Sequence, residues 1–287
     1  MQMHTTALTR FVLCVCLHYS FHAFSLDVNN NPLDRYAIFY DLKMELLEAA
    51  LRQTGSSGSQ QARFELRLDH GKATLSEDCG QRSALTSQCV FAQAFQQCVR
   101  HEQSHAATWA ASLRAHEGGS GGGGGKVFSV SFVGESGIDV GGVYREALTE
   151  MVLDLHLPDH KIDLFKLCPN GEHKINSNMD KIVPRASSTS PLAISMFEFV
   201  GKLMGLSLRT KATLPFCFPS LVWKGVVGSA LDESDLDAID TTLCQVGERK
   251  RERDKGSSNR RKKKAVVFAA VSESRLDTGV MLQRLPL

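Results

Sequence analysis

The sequence predicts an α+β fold, and three patterns predict it. Phe128, Val130 and Phe132 alternate with Ser129 and Ser131, the period of a half-buried strand. Phe64, Leu66 and Leu68 alternate with Glu65, Arg67 and Asp69 in the same way. Between and after these runs the apolar spacing turns helical: at Phe91, Ala94, Phe95 and Cys98, then from Tyr144 through Leu148, Met151, Val152 and Leu155, then from Leu192 to Leu208.

Taken in order, residues 1–26 hold a short apolar run after Arg10, Phe11 to Leu17, followed by Ala23 and Ser25. It reads as a signal-like segment or a mis-called start, too short to cross a bilayer. Residues 27–117 read as a helical support region. Asp34 can cap a helix whose Phe39, Leu42, Leu46, Leu47 and Ala50 share one side, and Gly55 to Ser59 ends it. The strand at 64–68 and the amphipathic helix around Phe91 follow. Residues 118–125, seven glycines and a serine, form a flexible linker inserted in a surface loop.

The stretch 126–146 then runs strand, acidic glycine turn, helix start. Gly134, Gly137, Gly141 and Gly142 allow backbone angles that residues with side chains resist. Neither G-x-G-x-x-G nor G-x-x-x-x-G-K-[ST] fits these glycines, and Glu135 and Asp139 place negative charge where a phosphate would lie. Further on, Ser190-Pro191 is an N-cap followed by a proline at the first helical position. The helix it starts is apolar on most faces, so burial nearly all round is expected. Gly201 and Gly205 share a face that would admit a neighbour closely. Glu198, Lys202 and Arg209 interrupt the run before membrane-spanning length, and no membrane span is expected.

Composition describes an ordinary globular chain: 287 residues, 43% hydrophobic and 22% charged, with a net charge of +2. Residues 249–264 alone carry ten basic and two acidic side chains, a net of +8, so the remainder carries −6. That block reads as a solvated tail or a nuclear import signal; no aromatic side chain is interleaved for base stacking, and no nucleic acid is expected. The eight cysteines include no C-x-x-C and no regular Cys/His set, so no metal site is expected. Cys98 near His101 and His105 is the one Cys/His grouping of interest, against the plainer reading of Cys89 and Cys98 as small buried apolar residues.

Three blocks resemble the large N-terminal subdomain of the HECT-type ubiquitin ligases. They are Phe132-Val133-Gly134-Glu135-Ser136-Gly137-Ile138-Asp139-Val140-Gly141-Gly142-Val143-Tyr144-Arg145-Glu146; Phe197-Glu198-Phe199-Val200-Gly201-Lys202-Leu203-Met204-Gly205-Leu206; and Leu214-Pro215-Phe216 with Leu221-Val222-Trp223-Lys224 and Leu231 through Asp240. The likeness covers 126–240 and extends more weakly over 32–105, where Gln88–Gln97 looks like the helix before this core. Among subtypes it resembles the large members with propeller-type repeats upstream. The resemblance implies a mainly helical α+β lobe with a few short strands, incomplete, in which 126–242 is a partial HECT domain and 243–287 a basic, disordered or foreign tail.

It also implies a setting in the cytoplasm, with nuclear entry through 249–264, and partners: a ubiquitin-conjugating enzyme, ubiquitin and a protein substrate. The family passes ubiquitin through a cysteine thioester, nucleophilic catalysis that splits one hard transfer into two easier ones. The family's cysteine context near the chain end has no counterpart here, so transfer activity is not expected of the chain as written. Cys217-Phe218 lies inside the N-terminal subdomain and reads as a packed thiol. No catalytic or cofactor residue is assigned. Gly134, Glu135, Asp139, Gly141, Gly142, Arg145, Glu146, Gly201, Lys202, Gly205 and Trp223 are expected to serve fold integrity, with Arg145 and Glu146 pairing with buried polar partners. Two other classes stay open at this point: a non-catalytic interaction module and a secreted domain with disulfides.

Overall fold

A computed structural model describes residues 40–54, 64–78, 88–114, 126–135, 141–156, 162–226 and 230–254. The signal-like start, Asp34, the linker 118–125 and everything after Asp254 lie outside the described residues. Helices are α1 (Tyr40–Gln53), α2 (His70–Asp78), α3 (Val90–Ser104), α4 (Ala106–Leu113), α5 (Gly142–Leu153), α6 (Pro169–His173), α7 (Pro191–Thr210), α8 (Ser220–Val226), α9 (Glu233–Asp237) and α10 (Thr241–Asp254). The strands are β1 (Glu65–Leu68), β2 (Ser129–Phe132), β3 (Phe165–Leu167) and β4 (Ile182–Pro184). The fold is α+β and mainly helical.

β1 and β2 run parallel, Leu66 beside Val130 and Leu68 beside Phe132. Parallel strands need a long crossover, and α2, α3 and α4 supply it. The alternation in the sequence becomes the two faces of this pair: Leu66, Leu68, Val130 and Phe132 are buried, while Glu65, Arg67 and Ser129 are exposed. β3 and β4 form a separate antiparallel pair, Lys166 opposite Val183.

The outer edge of β1 is closed by side chains. Gln97 of α3 accepts from the Arg67 N–H at 3.1 Å and donates to the Arg67 carbonyl at 2.7 Å. Gln93, one turn earlier, accepts from the Asp69 N–H at 2.9 Å and donates to the Asp69 carbonyl at 2.9 Å. The spacings agree: four helical residues rise about 6.0 Å and two strand residues about 6.6 Å. The two amides therefore act as a third strand along an edge that would otherwise be unpaired.

The start of α3 is held from α5. Cys89 at the N-cap makes no side-chain cap bond, and the Phe91 N–H instead donates to the buried Asp154 carboxylate at 2.9 Å. A carboxylate at a helix N-terminus meets both orphan N–H groups and the positive end of the dipole. Phe91 and Phe95 then meet Phe199 of α7 edge-on at 5.4 and 5.8 Å.

Ser190 caps α7 through the Ala193 N–H at 3.1 Å. This helix differs from expectation on two counts. It is buried along one side, through Met196, Phe199, Val200, Leu203 and Leu206, while Leu192, Ile194, Phe197, Met204 and Leu208 are only half-buried. At Gly201 no atom lies within 4 Å of where a Cβ would stand, so no element approaches closely there. Among the described residues, α7 is also long and apolar enough to cross a membrane by length and composition. Its cations place it in a protein core instead. Arg209, 3% exposed, donates to the Leu51 carbonyl at 3.2 Å and to Thr54 Oγ1 at 2.9 Å, which ties α1 to the core.

The expectation of a tail from residue 243 needs correction as far as Asp254, because the chain continues as α10. Its first turn is satisfied in advance. The Thr241 N–H donates to Oδ1 of the fully buried Asn170 at 3.0 Å, and the Leu243 N–H to Asp240 Oδ1 at 2.9 Å. Asn170 also takes the Ile239 carbonyl through its own N–H at 2.9 Å, and Asn178 donates to the Ala238 carbonyl at 2.9 Å. Helix nucleation is costly, and these acceptors lower that cost.

Leucine at 93, close to glutamine in volume, leaves the Asp69 N–H without its partner at a part-buried edge, while the Asp69 carbonyl keeps the Ala73 N–H. Gln93→Leu is expected to lower stability by about 1–3 kcal/mol, the cost of one orphaned N–H. Gln97→Leu should cost about 1 kcal/mol, because Arg67 is exposed and water replaces the amide. Urea denaturation measures both; a Gln93→Leu chain as stable as its parent contradicts this account.

Candidate functional site

The acidic glycine turn grows directly out of β2. The Val133 N–H donates to the Leu68 carbonyl at 2.7 Å, extending the ladder by one step, and the Glu135 N–H then folds back on the Phe132 carbonyl at 3.2 Å. Gly134 makes this reversal at φ +87°, and Gly141 enters α5 at φ +112°. Both lie in the left-handed region that a Cβ disfavours. Gly142 is simply the first residue of α5. Asp139, with 136–140, lies outside the described residues.

Glu135 is engaged by His70, a residue the sequence patterns did not single out. His70 opens α2 directly after β1, stacks on Phe132 with centroids 4.1 Å apart, and sits between two carboxylates. Nδ1 lies 3.0 Å from Glu135 Oε1, and Nε2 lies 2.9 Å from Glu150 Oε2 of α5. Burial alone would pull this imidazole below its ordinary value; the hydrogen bonds and charges of Glu150, then Glu135, overcome that and raise it. The turn is thereby tied to β1 on one side and to α5 on the other. No sequence spacing signals such a triad, since the carboxylates lie 65 and 80 residues away.

The remaining expected positions sit on separate elements. Arg145 and Glu146 are exposed on the outer face of α5. Their neighbours Tyr144, Ala147 and Leu148 occupy the buried side. Lys202, 9% exposed, is bound by Glu102 of α3 at 2.5 Å, an ion pair joining α3 to α7. Beside it, burial raises the Glu198 carboxyl. Gly205 is half-buried on the same helix. Trp223 of α8 is 40% exposed and meets Phe218 edge-on at 5.5 Å.

The cysteines separate by environment. Cys89, Cys98 and Cys168 are buried free thiols, and burial pushes the Cys98 thiol strongly upward, away from reactivity. Burial, and next the charge of His105, holds His101 below its ordinary value. His101 and His105 line an open groove of about 310 Å³ with Phe64, Gln97, Arg100 and Ser104. Among the described residues no group of three or more His, Cys, Asp or Glu could hold a metal ion.

Cys217 is half-buried, and His156 lies beside it. The imidazole Nε2 accepts from the Cys217 backbone N–H at 3.1 Å, so its lone pair is already committed. Burial, then the charge of Lys181, keeps His156 below its ordinary value. A nucleophile–base pair needs the imidazole nitrogen facing the thiol, and here it faces the main chain.

With this geometry in view, likeness to known proteins points the same way as the sequence blocks. Residues 150–261 match the HECT-domain (ubiquitin-transferase) model. That match is to the HECT domain and lies over residues 150–261 of the chain alone. The chain is 34% identical over 115 residues to the E3 ubiquitin-protein ligase HERC2 of Mus musculus and to that of Homo sapiens, 40% of this chain and 2% of each relative. It is 30% identical over 111 residues to the E3 ubiquitin-protein ligase TOM1 of Saccharomyces cerevisiae, 39% of this chain and 3% of that protein. The chain thus matches a small fraction of these HECT relatives' length. The HECT match begins within α5 and runs through α10 and beyond, so the turn at 133–141 stands just before it.

Alanine at either left-handed glycine adds a Cβ where the backbone cannot accept it. Gly134→Ala and Gly141→Ala are each expected to cost about 1–2 kcal/mol. Gly201→Ala has open space and should be neutral or stabilising by up to about 1 kcal/mol, the helix-propensity difference. Thermal unfolding of the three variants checks the contrast.

Proposed function

We propose that this chain serves ubiquitin transfer as the scaffold of a HECT N-lobe, with residues 126–242 as the body of its large subdomain and α10 continuing from it. The partners on this reading are a ubiquitin-conjugating enzyme, ubiquitin and a protein substrate. The observation that carries it is the match of 150–261 to the HECT model, lying over an ordered block from α5 to α10 that is joined through buried Asn170. Relatives that share this segment are E3 ubiquitin-protein ligases. Residues 27–117 then act as helical support for the lobe, through the Gln93–Gln97 edge and the Arg209 anchor. The reading places the chain in the cytoplasm, with the basic block 249–264 as a route to the nucleus.

The role assigned is structural support of transfer, not thioester formation. Three of the five described cysteines are buried, and His156 beside Cys217 turns its Nε2 to the main chain, not to the thiol. With charged conjugating enzyme, non-reducing electrophoresis is expected to show no thiol-sensitive ubiquitin adduct on this chain; an adduct abolished by Cys217→Ser overturns that role.

A chimaera tests the scaffold directly. Residues 126–242, exchanged for the matching segment of yeast TOM1, should leave a ligase that still modifies substrate at a rate within about tenfold of the parent, about 1.4 kcal/mol in barrier. A soluble, cooperatively folding chimaera without transfer activity refutes the proposal.

A further inference from the structure

The turn at 133–135 carries a device that the scaffold role does not require. An imidazole touches a carboxylate on each of its ring nitrogens, at 3.0 Å to Glu135 and 2.9 Å to Glu150. Neutral imidazole has one N–H and one lone pair, so it can donate to only one of them. The other nitrogen would then direct a lone pair at a carboxylate oxygen across hydrogen-bond distance. Only the imidazolium, with two N–H groups, satisfies both contacts. We propose that His70 is a proton-operated latch that holds the acidic turn to α5 while charged and lets the turn go when neutral.

The two arms differ, which decides the one that opens. Glu150 is 31% exposed and fixed within α5, whereas Glu135 is 58% exposed on a turn that, among the described residues, rests on the Val133 bond to Leu68, the Glu135 bond to Phe132 and Gly134 at φ +87°. Losing its proton, His70 keeps Glu150 and releases Glu135. Among the described residues, the charged groups facing the ring from the packed elements are these two carboxylates. Asp69 and Lys72, next to it along the chain, are paired with each other at 3.5 Å. Phe132 covers one ring face, and its stacking survives either charge state.

The sign follows from the raised pKa of His70. A histidine whose folded value exceeds its ordinary 6.5 adds stability in full below that pH, and the contribution disappears as pH rises through the folded value. The turn is therefore closed below the ordinary imidazole range and opens as pH rises through the raised value of His70. Its release uncouples Glu135 from α5.

Nitrogen NMR of the full chain across pH 5.5–9 tests the latch. Both ring nitrogens of His70 should be protonated at low pH, with a midpoint above 6.5. Amide exchange at Glu135, corrected for hydroxide catalysis, should rise about 2- to 5-fold through the same midpoint, the range an exposed ion pair supports. Glu135→Gln should lower the midpoint and abolish the rise, while Glu150→Gln lowers the midpoint and keeps the fold readable should a His70 variant unfold. A midpoint at or below 6.5, or exchange at Glu135 indifferent to His70 titration, rejects the latch.

Discussion

Two glutamine amides facing one strand hold this fold in register. β1 is four residues long and pairs with β2 on a single side. A two-stranded parallel ribbon of that length has little stability of its own. Gln93 and Gln97 satisfy the backbone of the opposite edge, so β1 has partners on both sides, and α3 cannot slide along it without breaking four bonds together. Once β1 is placed, His70 is placed, because it follows the strand directly. Through His70, Glu135 and Glu150 are placed as well, and with them the turn and α5.

The same logic recurs wherever segments distant in sequence are joined. Asp154 closes the start of α3, Arg209 gathers carbonyls from α1 and the end of α4, Lys202 reaches Glu102, and Asn170 organises the entry to α10. Each is a buried or nearly buried polar group with specific partners. Apolar burial supplies the driving force but little geometry, being non-directional. Hydrogen bonds add modestly to net stability, yet leaving one of these groups unmade is expensive, so they select one arrangement among many of similar burial. This explains why so many junctions of this fold rest on polar side chains placed in apolar surroundings.

The charged and glycine-rich positions that mark the family divide into two kinds. Gly134 and Gly141 hold backbone angles that other residues resist, and Lys202 fills an internal ion pair. Arg145 and Glu146 face outward on α5 and leave its buried side to Tyr144, Ala147 and Leu148. A surface position contributes little to folding, so these two are free to answer to a neighbour in place of the core. Trp223, two-fifths exposed against Phe218, belongs with them.

From the sequence alone came the elements whose signals are local: the alternation at 64–68 and 128–132, the helical spacing after Tyr144, the Ser190 cap, and the family likeness of 132–146, 197–206 and 214–240. Period and capping depend on neighbours a few residues away, which is why they can be read without a fold. The closure of β1 by two amides, the clasp of His70 on two carboxylates, the outward turn of Arg145 and Glu146, and the persistence of α10 past residue 243 were decided only in three dimensions. In each case the partners lie on other elements, from 24 to 80 residues apart across the two amides and the His70 clasp. At α10 the deciding acceptor, Asn170, sits 71 residues before the helix it starts. A run of positive charge argues for a solvated tail when read along the chain; one buried asparagine, brought there by the rest of the fold, makes its beginning a helix.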